Sequence, residues 1–145
     1  MSSRPDGSDV RMVIEDAGPI PDGIQIDEES GHIYWTTMGQ MKENDGAIYR
    51  CDTDGTNRIT ILAPGKTFTP KQLVLDTEAR KLYWSDREGM RVMCCNTDGS
   101  ELQTLVERGH TELDRCDPRK WCVGIALDKE DNMVYWTQKG MSSRI

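Results

Sequence analysis

The chain has 145 residues, 36% of them hydrophobic and 30% charged, which leaves room for one modest domain and excludes two large ones. Its 25 acidic residues outnumber 18 basic ones, and the resulting charge of −7 disfavours a nucleic-acid backbone or an anionic membrane surface as partner. The longest apolar runs, such as Ile59-Thr60-Ile61-Leu62 and residues 123–127, are strand-sized, far below the roughly 20 residues of a membrane-spanning helix.

In chain order, the first segment, Met1-Ser2-Ser3-Arg4-Pro5-Asp6, has no apolar stretch of the kind a signal peptide carries, so a cytosolic chain is expected. Asp6-Gly7 followed by Val13 and Ile14 then predicts a lone strand over residues 9–15. Next comes a pattern that recurs. Residues 23–27 and 33–36 alternate apolar and polar side chains around the turn Glu29-Ser30-Gly31 and read as strand, turn, strand. A third strand, residues 47–51, ends in Thr53-Asp54-Gly55, a tight-turn signal, and a fourth carries Ile61 and Leu62. The second copy runs through residues 72–76, 82–85 and 91–95, then Thr97-Asp98-Gly99, Leu105 and Val106. The third has residues 124–128 and 134–137, and Ser143-Arg144-Ile145 falls where its third strand belongs. In each copy an Asp precedes a Tyr-Trp pair by seven positions, at 27 and 34, 76 and 83, 128 and 135. Repetition at this period makes each copy one four-stranded unit of an all-β repeat architecture, with residues 1–145 as a single body.

Tyr34-Trp35-Thr36-Thr37, Tyr83-Trp84-Ser85-Asp86 and Tyr135-Trp136-Thr137-Gln138 carry a resemblance. They resemble the class B, or YWTD, repeats of the low-density lipoprotein receptor family, and the chain as a whole looks closest to stand-alone intracellular microbial and fungal members. The resemblance implies a six-bladed β-propeller and, for Asp86, the inter-blade hydrogen bonds that the final Asp of the motif makes in the family; Thr37 and Gln138 depart from that pattern. Three blades do not close a ring, and an open stack exposes sheet edges. The expectation is therefore a homodimer that completes six blades, with strand 9–15 finishing the last blade of the partner. The rival reading is the first half of a longer propeller.

Five cysteines, at 51, 94, 95, 116 and 122, form no C-x-x-C pair and read as free thiols, and with two histidines zinc is the weaker reading. No nucleophile, zinc-protease or phosphate-loop motif is present, and the ligands of metal-dependent lactonase propellers have no match, so no cofactor is expected. The loops between second and third strands and the segments leading into first strands share one face of such a ring. They bring Met38, Met41, Met90, Met141, Trp121 and Lys139, which suit a pocket for an apolar small molecule or, equally, packing beneath the loops. Lys71, Gln72, Arg87 and Lys120 could polarise a carbonyl, and His110 could move a proton. His110, Lys120 and Trp121 lie in or beside an unusually long connection, residues 109–121. Two functions follow as expectations: a cofactor-independent enzyme or binder of specialised metabolism, performing a cyclisation or hetero-Diels-Alder-type reaction, and a protein-interaction scaffold.

Overall fold

A computed structural model describes residues 1–40 and 42–140; Met41 and Met141 lie outside the described residues, as does the expected strand at 143–145. Strands β1 (Pro21–Asp27), β2 (His32–Thr37), β3 (Gly46–Asp52) and β4 (Ile59–Thr67) form one antiparallel sheet in sequential order. Strands β5 (Pro70–Asp76), β6 (Lys81–Asp86), β7 (Arg91–Asn96) and β8 (Gln103–Glu107) form a second in the same order. Strands β9 (Cys122–Asp128) and β10 (Met133–Gln138) pair with each other, so the described residues hold two complete blades and the inner half of a third. The registers repeat: Ile24 faces Trp35 and Cys51 faces Ile33 in the first blade, as Leu73 faces Trp84 and Cys95 faces Leu82 in the second.

Each motif's third residue staples one blade to the next. The Thr36 hydroxyl accepts from Gly23 N at 2.9 Å and donates to the Lys71 carbonyl at 2.7 Å, and the Ser85 hydroxyl donates to the Val123 carbonyl. Lys71 and Val123 hold equivalent places, each five residues before a repeat Asp. The core fills the junction between the first two blades, with Tyr34, Ile48, Ile61 and Leu62 on one side and Leu73, Leu82, Trp84, Met93 and Cys95 on the other. Burying a large apolar side chain contributes about 1.5–3 kcal/mol. The junction therefore holds the two sheets together where loops could not.

Asp86 is fully buried and makes the inter-blade contact that the family resemblance implied. Its carboxylate accepts from Phe68 N at 3.0 Å and Thr69 N at 2.7 Å, and Arg91 pairs with it at 2.6 Å. The other two blades dispense with the acid for different reasons. Backbone bonds from Met38, Arg87 and Lys139 to Ile20, Thr69 and Trp121 make Pro19 and Lys120 the counterparts of Phe68. Pro19 has no N–H to donate, so Thr37 faces one donor fewer. In the third blade, Lys120 N and Trp121 N are satisfied by Asp117 and Pro118 carbonyls within the 3-10 turn Pro118–Lys120. Gln138 there reverses polarity and donates to the Arg119 carbonyl at 2.5 Å.

Residues 9–15 do not form the sheet strand expected of them. They join the segment's only bridge, Ser2 with Arg11, because strands one to three of the blade they would complete are absent around them. Their placement is nevertheless that of a fourth strand. A Cβ on Gly55 would lie 2.0 Å from the Val13 carbonyl oxygen, and one on Gly99 would lie 2.2 Å from that of Ile61. Val13 thus sits against the first blade as Ile61 of β4 sits against the second. Trp35 Nε1 donates to the Ala17 carbonyl at 2.8 Å, and Arg58 to that of Asp16 at 2.6 Å, which fixes the segment on this blade of its own chain.

Candidate functional site

The long connection folds into helix α1 (Glu112–Arg115) and the 3-10 turn. Thr111 caps α1, accepting from Asp114 N, while the Asp114 carboxylate accepts from the Thr111 amide in return. Asp114 also pairs with Lys120; that contact, with the Thr111 and His110 bonds, holds its carboxyl well below the usual carboxylate range. Lys120 is thereby anchored. Asp117 caps the following turn through Arg119 N at 3.1 Å.

These turns set Trp121 among cations. Its indole N–H donates to the Arg115 carbonyl at 2.9 Å, and Arg87 Cζ and Lys139 Nζ lie 5.4 and 5.3 Å from its ring centroid. Arg87 is bound to the buried Glu88 at 2.6 Å, whereas Lys139 has no carboxylate partner among the described residues. Arg115 stacks 3.8 Å from the Phe68 ring centroid and donates to the Glu88 carbonyl. Arg87, Trp121 and Lys139 are therefore brought to one place, with Lys120 tied back to Asp114 on the same connection.

Lys71 and Gln72 form another group: both donate to Asp22, at 2.6 and 2.7 Å, bridging the starts of β1 and β5. His110 is exposed beside a cleft of about 190 Å³ that Phe68, Glu107 and Arg115 also line. Met38 is half-buried and Met90 wholly buried, at a left-handed φ of 57°, so Met90 packs beneath its loop, at the floor of that cleft. Two of the four methionines expected to line an apolar pocket at this face, Met41 and Met141, lie outside the described residues. An apolar cavity of about 290 Å³ lies on the free side of the first blade, lined by Val13, Ile14, Ile24, Ile33, Trp35 and Cys51.

No family model matches the sequence. It is 48% identical, over 98% of its length, to a protein of Pyricularia oryzae called low-density lipoprotein receptor-related protein 1, and covers 48% of that protein. The chain belongs to the low-density lipoprotein receptor YWTD repeat family. This YWTD chain is also 40% identical, over 94% of its length, to the 3-hydroxyacyl-CoA dehydrogenase-like protein LAM1 of Cochliobolus heterostrophus, covering 29% of it. It spans about half the length of the first relative and under a third of the second. Among solved structures, a chain of a nidogen/laminin complex superposes with a TM-score of 0.73 at 22% identity, over 91% of this chain and 45% of that one. A luciferin-regenerating enzyme superposes at 0.59 and 16%, over 81% and 38%. Both show the propeller fold alone.

Several residues of this YWTD chain to which the sequence assigned no individual role organise its loop face: Asp22, Glu88 and Asp114, the carboxylates that hold Lys71, Arg87 and Lys120, and Arg115, which covers Phe68. A cation in a propeller loop signals that a carboxylate must reach it, but not which one. Four of the five thiols are buried, which disfavours their thiolates. Burial pushes Cys95 up to about 12 and Cys122 to about 11, and raises Cys51 and Cys94. No helix among the described residues is long and apolar enough to cross a membrane.

Proposed function

We propose that the chain is a binding module of half a six-bladed ring, and that its loop face recognises an acidic, partly apolar segment of another protein. The observation that carries this reading is Trp121 between Arg87 and Lys139, with Lys139 free of carboxylates among the described residues. Trp and Arg dominate binding energy where they are fixed in place, and here the Arg115 carbonyl and Glu88 fix them. Beside them α1 holds out Leu113, 83% exposed, on a connection that buries no residue of its own helix. An exposed apolar tip beside a cation-flanked indole suits a peptide surface better than a closed pocket. The nidogen/laminin neighbour, a propeller in complex with another protein, supports the reading by analogy.

A small-molecule reading, binder or cofactor-independent enzyme, retains one favouring observation: the same Trp121 ring and cations would hold a flat carboxylate. Backbone amide spectra during titration separate the two. A glutamate-rich peptide containing leucine is expected to shift residues 87, 113, 121 and 139, and Trp121→Ala to abolish the shifts. Shifts with benzoate but not with the peptide would favour the small molecule, and no response to either would remove the site.

A further inference from the structure

The two ends of the blade stack expose faces that match each other. Between the first and second blades, Tyr34 is 1% exposed and shares a cluster with Leu73, Leu82, Trp84 and Cys95. The counterpart of Tyr34 in the third blade is Tyr135, which is 46% exposed. By the repeated registers, the counterparts of that four-residue socket in the first blade are Ile24, Ile33, Trp35 and Cys51, which line the apolar cavity. The hydroxyl staples show the same pairing of ends. Thr36 and Ser85 each donate to the next blade's first strand, whereas Thr137 accepts from Gly124 N and has no such acceptor among the described residues. Asp22, five residues before Asp27 as Lys71 is before Asp76, receives no side-chain hydroxyl among the described residues. Val13, seated where an outer strand belongs, leaves the cavity where the inner strands of a preceding blade would lie.

We propose that a second copy of this chain fills both faces. The third blade of each copy places Tyr135 over the partner's Ile24, Ile33, Trp35 and Cys51, the Thr137 hydroxyl donates to the partner's Asp22 carbonyl, and the partner's Val13 marks the outer strand of that blade. An occupant needs a Tyr-and-hydroxyl face at one end and an apolar socket at the other. This chain carries both, at opposite ends, so a two-fold rotation satisfies both junctions together. Two copies give six blades, within the usual range of four to eight for closed propellers. The inference is independent of the ligand proposed for the loop face.

Light scattering on the purified 145-residue chain, at about 50 µM, tests it. The expected mass is about 33 kDa, twice the 16.5 kDa of one chain. Ile24→Lys and Tyr135→Glu change residues that are 60% and 46% exposed in the single chain, so each variant keeps its far-UV circular dichroism and runs at the mass of one chain. Mixing the two variants restores the two-chain mass, because the mixed pair has one native junction and one joining Lys to Glu. A wild-type mass of one chain, a mass above two, a variant that stays paired, or a mixture that stays apart each overturns the proposal.

Discussion

Asp86 and Asp27 are both fully buried carboxylates, and their partners give them different consequences. Asp86 gathers Phe68 N, Thr69 N and Arg91, so Asp86→Ala strands two amides and a guanidinium in the junction between blades. A loss of about 3–5 kcal/mol in urea unfolding is expected, as for one partner removed from a buried pair. Asp27 reaches across the same junction to Arg80 at 2.5 Å. Burial opposes its ionisation, but the Arg80 hydrogen bond and the Ser30 amide outweigh that and depress its pKa. A depressed carboxyl contributes stability above its unfolded value, near 4, and loses it as pH falls through the folded value. The thermal midpoint should therefore fall on acidification below about pH 4, and fall less steeply in Asp27→Asn. Cysteine reactivity divides on burial: Cys116 alone among the five is exposed. A maleimide is expected to add once to the native chain and five times in guanidinium, by mass spectrometry.

At the scale of elements, the Asp-Gly turns show how one local structure serves different ends. Gly55 and Gly99 have φ of 89° and 88°, where an L side chain costs about 1–2 kcal/mol, and each would drive a Cβ into a neighbouring carbonyl. The carbonyl against Gly55 belongs to Val13 in the docked N-terminal segment; that against Gly99 belongs to Ile61 in the core cluster. Gly55→Ala is expected to free residues 1–18 to protease while the two-blade core stays folded, and Gly99→Ala to lower the global unfolding midpoint. The strands were legible in the sequence, because period-two alternation and the Asp-to-Tyr offset are local and repeat three times. Residues 9–15 take the place of an outer strand without sheet pairing, because the strands they would pair with belong to a neighbouring blade. For Met90 the structure decides between the two readings the sequence left open, because a left-handed turn folds it under its loop, and the bond from Lys71 to Asp22 was invisible because it joins positions 49 apart. Of the site, the sequence named Arg87, Lys120, Trp121 and Lys139 but not the carboxylates that set their positions.

For the whole molecule, the charges at the two junctions within the chain predict that the junction closing the proposed ring is the weakest. Asp27 meets Arg80 at 2.5 Å between the first and second blades, and Asp76 meets Lys129 at 3.4 Å between the second and third. Arg80 follows its repeat Asp by four residues and Lys129 by one, and the corresponding places after Asp27 hold Gly31 and Glu28. In the proposed dimer, the junction between copies would set Asp128 against Glu28 without the cation that Arg80 or Lys129 supplies elsewhere, leaving apolar burial to hold it against like-charge repulsion. Salt screens the repulsion, the Debye length shrinking from about 30 Å at 0.01 M to about 8 Å at 0.15 M, and leaves apolar burial intact. The dimer dissociation constant, measured by sedimentation, is expected to fall several-fold over that range. Glu28→Lys replaces the repulsion with an exposed pair worth about 0.2–1 kcal/mol at each of two junctions. That variant should dimerise more tightly at low salt and lose or reverse the salt dependence. A wild-type dimer that weakens as salt is added would mean that opposite charges meet between the copies, which this arrangement of blades does not provide.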